Sequence, residues 1–406
     1  MPPGARPGAS PRTPAAPPEE LEGELRRIRA WLGFGGNVQL TDGELTLRPA
    51  GELIELIRYA RGIGLVPMLM THGDAFRRDP SLLPRLVREG GLPELSIHVD
   101  TTQRGRLGDA YRHAKDEAEL LPLRDELAAM IRRVRRETGR PLDVATTFTV
   151  THENLPQVPL VLRWLCANAD AFKMISFQPA AQIGRTSPGL GGRVDVEELW
   201  GQIARGLLGP GGSVARLRRS EGWLGHPSCS RFVQGVGGRG RGGNPAFHPL
   251  FGGTDAEERA LSQLLDKLGG LTFRLDDPAE RWARILGLIL REPRLLLFGL
   301  PSWLLRAVRR IAPTAPARFV AQWVRGDARI DYLNVVSHHF MDAQEIATAL
   351  GQERLDLCAF RVPLGERLVS MCEVNALDGR ERYYEALRTA SRSQVHPVDA
   401  PMIPMT

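Results

Sequence analysis

Short apolar segments alternate with helical segments along the first half of this chain, and this alternation restricts the fold more than any other feature. Apolar residues at a spacing of two indicate strands, and apolar residues at a spacing of three or four indicate helices. The pattern predicts strands over 38–42, 66–70, 95–99, 143–150 and 172–178, and helices over 18–32, 50–62, 79–90, 117–137, 155–168 and 195–208. Such an alternation is typical of parallel strands joined by right-handed crossovers. The carboxyl ends of these strands meet at one edge of the sheet, where the connecting loops are free to carry chemistry.

The four cysteines, Cys166, Cys229, Cys358 and Cys372, are too few and too widely spaced for a disulfide framework. No charged segment followed by an apolar segment opens the sequence, so we expect a cytoplasmic location. The longest nearly unbroken apolar stretch, 295–305, is shorter than the roughly 20 residues that cross a bilayer. Only three of the 53 basic residues are lysines, which favours a compositional bias towards arginine over a nucleic-acid-binding surface. We therefore expect no nucleic-acid partner.

The segment 281–325 contains nine arginines, a single acidic residue and three tryptophans among many leucines. Apolar helices flanked by arginines and tryptophans suit the interface of an anionic membrane, where aromatic rings lie at the depth of the headgroups. The same pattern also suits amphipathic helices that pack on the body of the protein and expose a basic face to solvent. Both interpretations stay open, and the first predicts a peripheral membrane contact.

Polar residues and glycine stand at the ends of four predicted strands. They are Asp42, Gly43 and Glu44 after the first strand, Thr71 and His72 after the second, His98 and Asp100 at the third, and Gln178 at the last. The phrase TDGELTLR at 41–48 resembles the Gly-Gly-Glu element of the radical SAM superfamily, although an aspartate replaces its first glycine. The resemblance implies that the first three residues hold the amino group of S-adenosylmethionine and that the other five complete the site. Taken alone, Asp-Gly is also common in turns, and a histidine on a strand is more often a core residue.

Three motifs in the C-terminal half are similar to the tetraether-lipid-synthase-like branch of this superfamily. They read HPSCS at 226–230, VSHHFMD at 336–342 and LCAFRVPLGERLVSMCEVN at 357–375. The resemblance implies that Cys229, Cys358 and Cys372 are ligands of an auxiliary [4Fe-4S] cluster, for which thiolates are suitable ligands. Free buried cysteines that act as small apolar residues are an equal alternative.

The resemblance also implies a fold, and together with composition it predicts a division of the chain. The fold is α/β, a partial (βα)6 TIM-like barrel that lacks its first strand, with an α-rich C-terminal extension. The segments are a disordered tail over 1–17, the partial barrel over 18–210, a Gly-rich linker and loop over 211–255, a basic amphipathic helical segment over 256–330, a cysteine-containing extension over 331–388 and a tail over 389–406. Because the first strand is missing, we expect the strand over 38–42 to have one unpaired edge.

The function implied by the resemblance is radical C–H chemistry on a small-molecule or lipid substrate. It uses S-adenosylmethionine, a [4Fe-4S] cluster and an electron donor such as ferredoxin or flavodoxin. The CxxxCxxC motif that holds this cluster in the superfamily does not occur in the sequence. Either translation begins upstream and the chain is truncated, or the protein is a non-catalytic relative that binds S-adenosylmethionine, a lipid or a partner. We expect this chain by itself not to start the radical reaction.

Overall fold

In a computed structural model of the chain, the described residues are 16–41, 43–102, 110–181, 194–239, 246–251, 254–268 and 278–377, with Gly379, Arg382 and Glu385. The first half alternates between strands and helices. Strands β1 to β5 are Asn37–Leu40, Val66–Thr71, Glu94–His98, Asp143–Val150 and Met174–Pro179. Helices α1 to α7 are Pro18–Leu32, Ala50–Gly62, Asp74–Arg78, Leu82–Arg88, Leu121–Thr138, Val158–Ala167 and Val196–Leu208. All five predicted strands are confirmed.

The predicted helix 79–90 is shorter in the structure, where α4 covers Leu82–Arg88, and a separate short helix, α3, precedes it. The chain forms the short helix α3 before Asp79 and the helix α4 after Ser81. Asp79 is extended, with φ −124° and ψ 91°. It precedes Pro80, and the ring of a proline disfavours the helical conformation of the residue before it. The break between the two helices therefore follows from this proline.

The second half adds strands to the same sheet. After the helix α8 (Val214–Leu217) come β6 (Glu221–Trp223), β7 (Ser230–Arg239) and β8 (Ala246–Pro249). The helices α9 (Asp255–Leu268), α10 (Pro278–Arg291), a π-helix (Leu295–Gly299), α11 (Leu300–Ile311) and α12 (Pro316–Val324) then lead to β9 (Arg329–His338). The chain ends its described part with α13 (Ala343–Ile346), α14 (Ala349–Asp356), the hairpin β10 (Arg361–Leu364) and β11 (Arg367–Ser370), and α15 (Met371–Ala376).

The main sheet is mixed and mostly parallel. Its strand order is β1-β2-β3-β4-β5-β9-β7-β6, with β8 paired to β7. Strands β1 to β5 and β9 are parallel, whereas β7 is antiparallel to β9, β6 and β8. Strand β9 thus adds a sixth parallel strand beside β5. Within the part of the chain that the structure describes, β1 pairs only with β2 and no hydrogen bonds join the two ends of the sheet.

The segment 211–255, predicted as linker and loop, contains three strands instead. The prediction rested on its glycines, but two of them belong to strands that aromatic rings cross closely. A Cβ atom on Gly235 of β7 would overlap the ring of Phe247, and a Cβ atom on Gly222 of β6 would overlap the ring of Phe232. Glycine inside a strand often marks such a close approach. The prediction of loop structure was therefore wrong for β6, β7 and β8.

The apolar core lies on one side of the sheet. Side chains of one parity in the parallel strands, such as Leu69, Ile97, Phe148, Phe177 and Val335, pack in a single cluster with α2, α4, α5, α6 and α7. Alternate residues of a strand point to opposite faces, so the helices cover the face that carries these residues.

Two smaller apolar clusters stabilise the second half. Met341, Ile346, Leu355 and Cys372 join α13, α14 and α15. Val308, Phe319 and Ala328 join α11 and α12 to the start of β9. No helix in the described ranges is both long enough and apolar enough to cross a membrane.

Candidate functional site

The face of the sheet opposite the apolar core carries polar side chains towards the carboxyl ends of β3, β4 and β5. These residues, named here the polar sheet face, are Ser96, His98, Thr147, Thr149, Ser176 and Gln178. These side chains point to the same face of the sheet, because His98 pairs with Thr147, Thr147 with Ser176, and Thr149 with Gln178. Ser96 Oγ and Thr147 Oγ1 are 3.1 Å apart and hydrogen bonded. Polar side chains on this face can contact a polar ligand, whereas helices cover the opposite, apolar face.

Two polar atoms near this face have no partner in the fold. The hydroxyl of Ser176 and the amide oxygen of Asn334 on the neighbouring β9 are buried and form no hydrogen bond within the described residues. Leaving a buried polar group unpaired costs about 1–3 kcal/mol. Asn334 lies beside Met174 at the start of β5, whereas Ser176 lies nearer the carboxyl edge of the sheet, where a ligand with hydrogen-bonding groups would satisfy its hydroxyl.

Glu44 lies just after β1 and connects the ends of two strands. Gly43 has φ +75°, a conformation that glycine adopts without strain and that sets up the turn into Glu44. Glu44 Oε1 accepts hydrogen bonds from the backbone N (3.2 Å) and hydroxyl of Thr46 and from Thr71 Oγ1 (2.7 Å). Glu44 Oε2 accepts one from the backbone N of His72 at 2.8 Å. The carboxylate therefore clamps the loop after β1 to the end of β2.

Burial by itself raises the pKa of Glu44. The hydrogen bonds from Thr46, His72 and Thr71 outweigh that effect and hold the pKa below its usual value. Glu44 is therefore an ionised carboxylate with a side chain that is 18% exposed. Most of its acceptor capacity is used inside the protein, since a carboxylate offers about four lone-pair directions.

His98 and Asp100 form a pair at the end of β3. His98 Nε2 lies 2.6 Å from Asp100 Oδ2, and an ionised carboxylate only accepts, so Nε2 carries the proton. The backbone N of Thr149 also donates to Asp100 Oδ2, at 2.7 Å. Thr102 donates to Asp100 Oδ1 from its backbone N (2.7 Å) and its hydroxyl (2.6 Å). Asp100 thereby fixes the orientation of the His98 ring.

Asp100 is fully buried, and burial by itself raises its pKa. The charge and the hydrogen bond of His98, with the hydrogen bonds from Thr102 and Thr149, hold the pKa well below its usual value. The rings of His72 and His98 lie edge to face with their centroids 6.4 Å apart. Both histidines are part-exposed, so this cluster meets solvent at the carboxyl edge of the sheet.

A second group of polar residues is buried next to this cluster. It was not predicted from the sequence. Glu117 accepts from Arg124 Nη2 at 2.5 Å and from the backbone N of Thr101 at 3.0 Å, and both Glu117 and Arg124 are almost fully buried. Asn154 donates to the backbone oxygen of Thr149 at 2.9 Å and so joins the end of β4 to the same group. A carboxylate and an arginine within helix-forming sequence gave no local signal of burial.

The structure brings together most of the predicted cofactor residues. Glu44, Thr71 and His72 are in direct contact, and His72 adjoins His98 and Asp100. Gln178 lies at the end of β5, opposite Thr149 in the strand register. Asp42 lies outside the described residues. Thr46, Thr147, Thr149 and Ser176 were not singled out from the sequence, although strict alternation in 143–150 places Thr147 and Thr149 on one face.

The three predicted ligand cysteines gather near α14 and α15. Arg354 Nε donates to Cys229 Sγ at 3.2 Å, the backbone N of Met341 donates to Cys372 Sγ at 3.5 Å, and Cys358 Sγ donates to the Phe360 oxygen at 3.1 Å. Burial raises the pKa of Cys372 to about 11, and the neighbouring Cys358 and Cys229 act in the same direction. Metal ligation requires thiolates, whereas burial favours the thiol form of Cys372.

Within the described residues, no three His, Cys, Asp or Glu side chains are placed to hold a metal ion. The auxiliary cluster stays a prediction from the resemblance.

The motif VSHHFMD, which carried part of the resemblance, lies at the end of β9 and the start of α13. His338 Nδ1 is 2.8 Å from Ser230 Oγ, and burial lowers the pKa of His338 to about 4. His338 is therefore neutral at physiological pH. Asp342 caps α13 by accepting from the backbone N of Glu345 at 2.9 Å, and Glu345 reaches back to the backbone N of Asp342. These residues have clear structural roles.

Comparison with known proteins gives no match, either to a protein-family model or to a curated sequence.

Proposed function

We propose that the chain binds S-adenosylmethionine at the carboxyl edge of β1 to β5, in a site of the radical SAM type on a partial TIM-like barrel. The observation that supports this best is the sheet itself, which is apolar towards the helices and carries polar side chains towards the carboxyl ends of β3, β4 and β5 on its other face. A methionine sulfonium nucleoside carries an ammonium, a carboxylate, ribose hydroxyls and a base. Such a ligand needs many hydrogen-bonding partners, and the polar sheet face, which includes the unpaired hydroxyl of Ser176, supplies them.

The order of the site residues along the chain also supports the proposal. Glu44, His72 and His98 come from the ends of three consecutive strands and lie side by side. In the superfamily that the sequence resembles, the ends of these strands hold the methionine and ribose portions of the ligand. The negative charges of Glu44 and Asp100 suit a ligand that carries a sulfonium and an ammonium.

The proposal extends to binding and not to a radical step. The reaction implied by the resemblance needs an iron-sulfur cluster that reduces the sulfonium. The sequence contains no CxxxCxxC motif, which holds that cluster in the superfamily. This chain's own residues bind and orient the ligand, and the sheet face shields it from water on one side.

Equilibrium dialysis with labelled S-adenosylmethionine tests the proposal. Wild-type protein should bind it saturably, and Gln178→Ala and Ser176→Ala should each weaken binding by about two- to tenfold. Gln202→Ala is the matched control, because Gln202 is also half-buried but lies on α7 away from this face. Circular dichroism checks that each variant is folded. Wild-type protein without saturable binding, or Gln178→Ala and Ser176→Ala that bind like Gln202→Ala, would contradict the proposal.

The second candidate function is radical catalysis, and product analysis separates it from non-catalytic capture of the ligand. Protein treated anaerobically with iron, sulfide and a reductant is incubated with S-adenosylmethionine, and 5′-deoxyadenosine is measured. Formation of 5′-deoxyadenosine would show that the chain is an enzyme. Ligand binding without this product, in protein that retains no iron, would favour the binding protein.

A further inference from the structure

A row of large apolar side chains is exposed along α10 and the π-helix. This row, named here the apolar ridge, consists of Trp282, Leu286, Leu290, Leu297 and Phe298. Trp282 is 66% exposed, Leu290 is 73% exposed and Phe298 is 72% exposed. The first three members recur at a spacing of four, which places them on one face of α10. Contiguous exposed apolar side chains of this size mark an interaction surface.

Two other helices of the segment 281–325, α11 and α12, pack on the protein. Val308 of α11 and Phe319 of α12 are 1% and 4% exposed and form a cluster with Ala328 at the start of β9. Arg310 Nη1 donates to the backbone oxygen of Pro249 in β8 at 3.2 Å. Packing on the protein therefore accounts for the apolar residues of α11 and α12 that lie in this cluster. The residues of the apolar ridge take no part in this packing and are exposed.

The charges within the segment 281–325 are almost all positive. The segment 281–325 carries nine arginines against Glu292 alone, and Arg291, Arg294 and Arg309 are exposed. Basic side chains beside an apolar surface favour anionic lipid, because each one near the membrane surface adds to the attraction. A second copy of the same surface would instead bring two strongly positive segments together, which disfavours self-association. Charge complementarity therefore selects a lipid surface over a second copy of the chain.

We propose that the apolar ridge docks on an anionic lipid bilayer, with Trp282 and Phe298 at the depth of the headgroups and the neighbouring arginines against lipid phosphates. The helices lie in the plane of the interface, since none in the described ranges could cross a membrane. The surface is independent of the proposed ligand site, because that site lies at the carboxyl edge of β1 to β5 and the ridge lies on α10 and the π-helix.

Vesicle co-sedimentation of the full chain tests the proposal. The protein should sediment with vesicles that contain phosphatidylglycerol, and phosphatidylcholine vesicles alone should bind about tenfold or more weakly. Binding to the anionic vesicles should fall when the salt concentration is raised, because salt screens exposed charges. Equal binding to both vesicle types, or binding to neither, would overturn the proposal.

Two sets of variants locate the contact. The combination of Leu286→Ser, Leu290→Ser and Phe298→Ser should lower binding to the anionic vesicles by about tenfold or more. Its control combines Leu350→Ser and Leu357→Ser, which are each 51% exposed and lie outside the ridge. The control should bind like wild-type protein. A ridge variant that binds like this control would overturn the proposal.

The second set tests the charges. Arg291→Gln, Arg294→Gln and Arg309→Gln together should also lower binding by about tenfold or more, and should reduce its salt dependence. Its control combines Arg78→Gln and Arg136→Gln, two exposed arginines of the first half. Arginine variants that bind like this control would overturn the role of charge. Sedimentation velocity completes the test, because wild-type protein that dimerises through the ridge and ignores vesicles would assign the surface to a second copy.

Discussion

Glu44 shows how much one side chain contributes to the carboxyl edge of the sheet. Its two carboxylate oxygens together accept hydrogen bonds from Thr46, Thr71 and His72. Glu44→Gln keeps the shape but places an amide NH2 against hydrogen-bond donors. We expect a loss of about 1–3 kcal/mol in the free energy of unfolding, measured by urea titration.

The matched control for this substitution is Glu55→Gln. The side chain of Glu55 is 72% exposed and pairs only with Arg58 on the surface of α2 in the salt bridges described. A substitution at such a site changes stability by about 0.5 kcal/mol or less. If the two variants were equally stable, the clamp at Glu44 would contribute nothing.

Of the individual site residues, those at the ends of strands could be predicted from the sequence, whereas their hydrogen-bonding partners from other elements could not. Glu44, His98 and Asp100 stand at strand ends, where a parallel fold gathers polar residues, and they lie close together. Thr149 and Glu117 were missed because their partners come from other strands and helices. The hydrogen bond from the backbone of Thr149 to Asp100 joins residues 49 positions apart. Local periodicity carries no information about such pairs.

Among the elements, β7 gives the clearest case of a glycine that packing requires. A Cβ atom on Gly235 would overlap the Phe247 ring, whereas one on Gly237 would meet Ala169 Cβ at 3.5 Å, an ordinary contact. Gly235→Ala should therefore lower the free energy of unfolding by about 1–3 kcal/mol through overpacking. Gly237→Ala, two residues away in the same strand, should be near neutral or slightly stabilising. Equal melting temperatures for the two variants would show that Phe247 does not press on Gly235.

The elements of the first half could be predicted because their signals are local. Helix α2 and strand β4 have the predicted bounds, since each has a complete period of its own and clear turns at both ends. The place of β9 in the sheet could not be predicted in this way. It pairs with β5 after a long intervening segment, and that pairing depends on packing rather than on its own sequence. The strands of 211–255 were missed because glycine is a signal of loops as well as of close approach.

At the scale of the whole molecule, charged side chains at the amino end of the sheet hold β9 beside β5. Asp170, just before β5, accepts two hydrogen bonds from Arg132 of α5 at 2.7 and 2.6 Å and one from Arg329 of β9 at 2.8 Å. Lys173 Nζ contacts Asp331 Oδ1 of β9 at 2.9 Å. These charges join a helix of the first half to a strand of the second. The proposed ligand site lies at the opposite, carboxyl edge, so charges at one end hold the strands that carry polar groups at the other.

Stability should therefore depend on pH through Asp170. Burial by itself raises its pKa, but the hydrogen bonds and charge of Arg132, with the charge of Arg329, lower it to about 2. Because the folded-state pKa lies below the unfolded value near 3.8, the stabilisation is complete above about pH 5. It is lost as the pH falls towards 2. A shift of this size corresponds to about 2 kcal/mol.

Asp170→Asn removes this contribution, so its melting temperature should lie below that of wild-type protein at pH 7 by several degrees. The difference between the two proteins should shrink as the pH is lowered from 5 to 3, because wild-type protein loses the stabilisation that the variant already lacks. Asp356→Asn is the control, since Asp356 is exposed at the end of α14. Its melting temperature should follow that of wild-type protein at every pH. A difference between Asp170→Asn and wild-type protein that stayed constant down to pH 3 would show that the charge of Asp170 is not what holds β9 to α5.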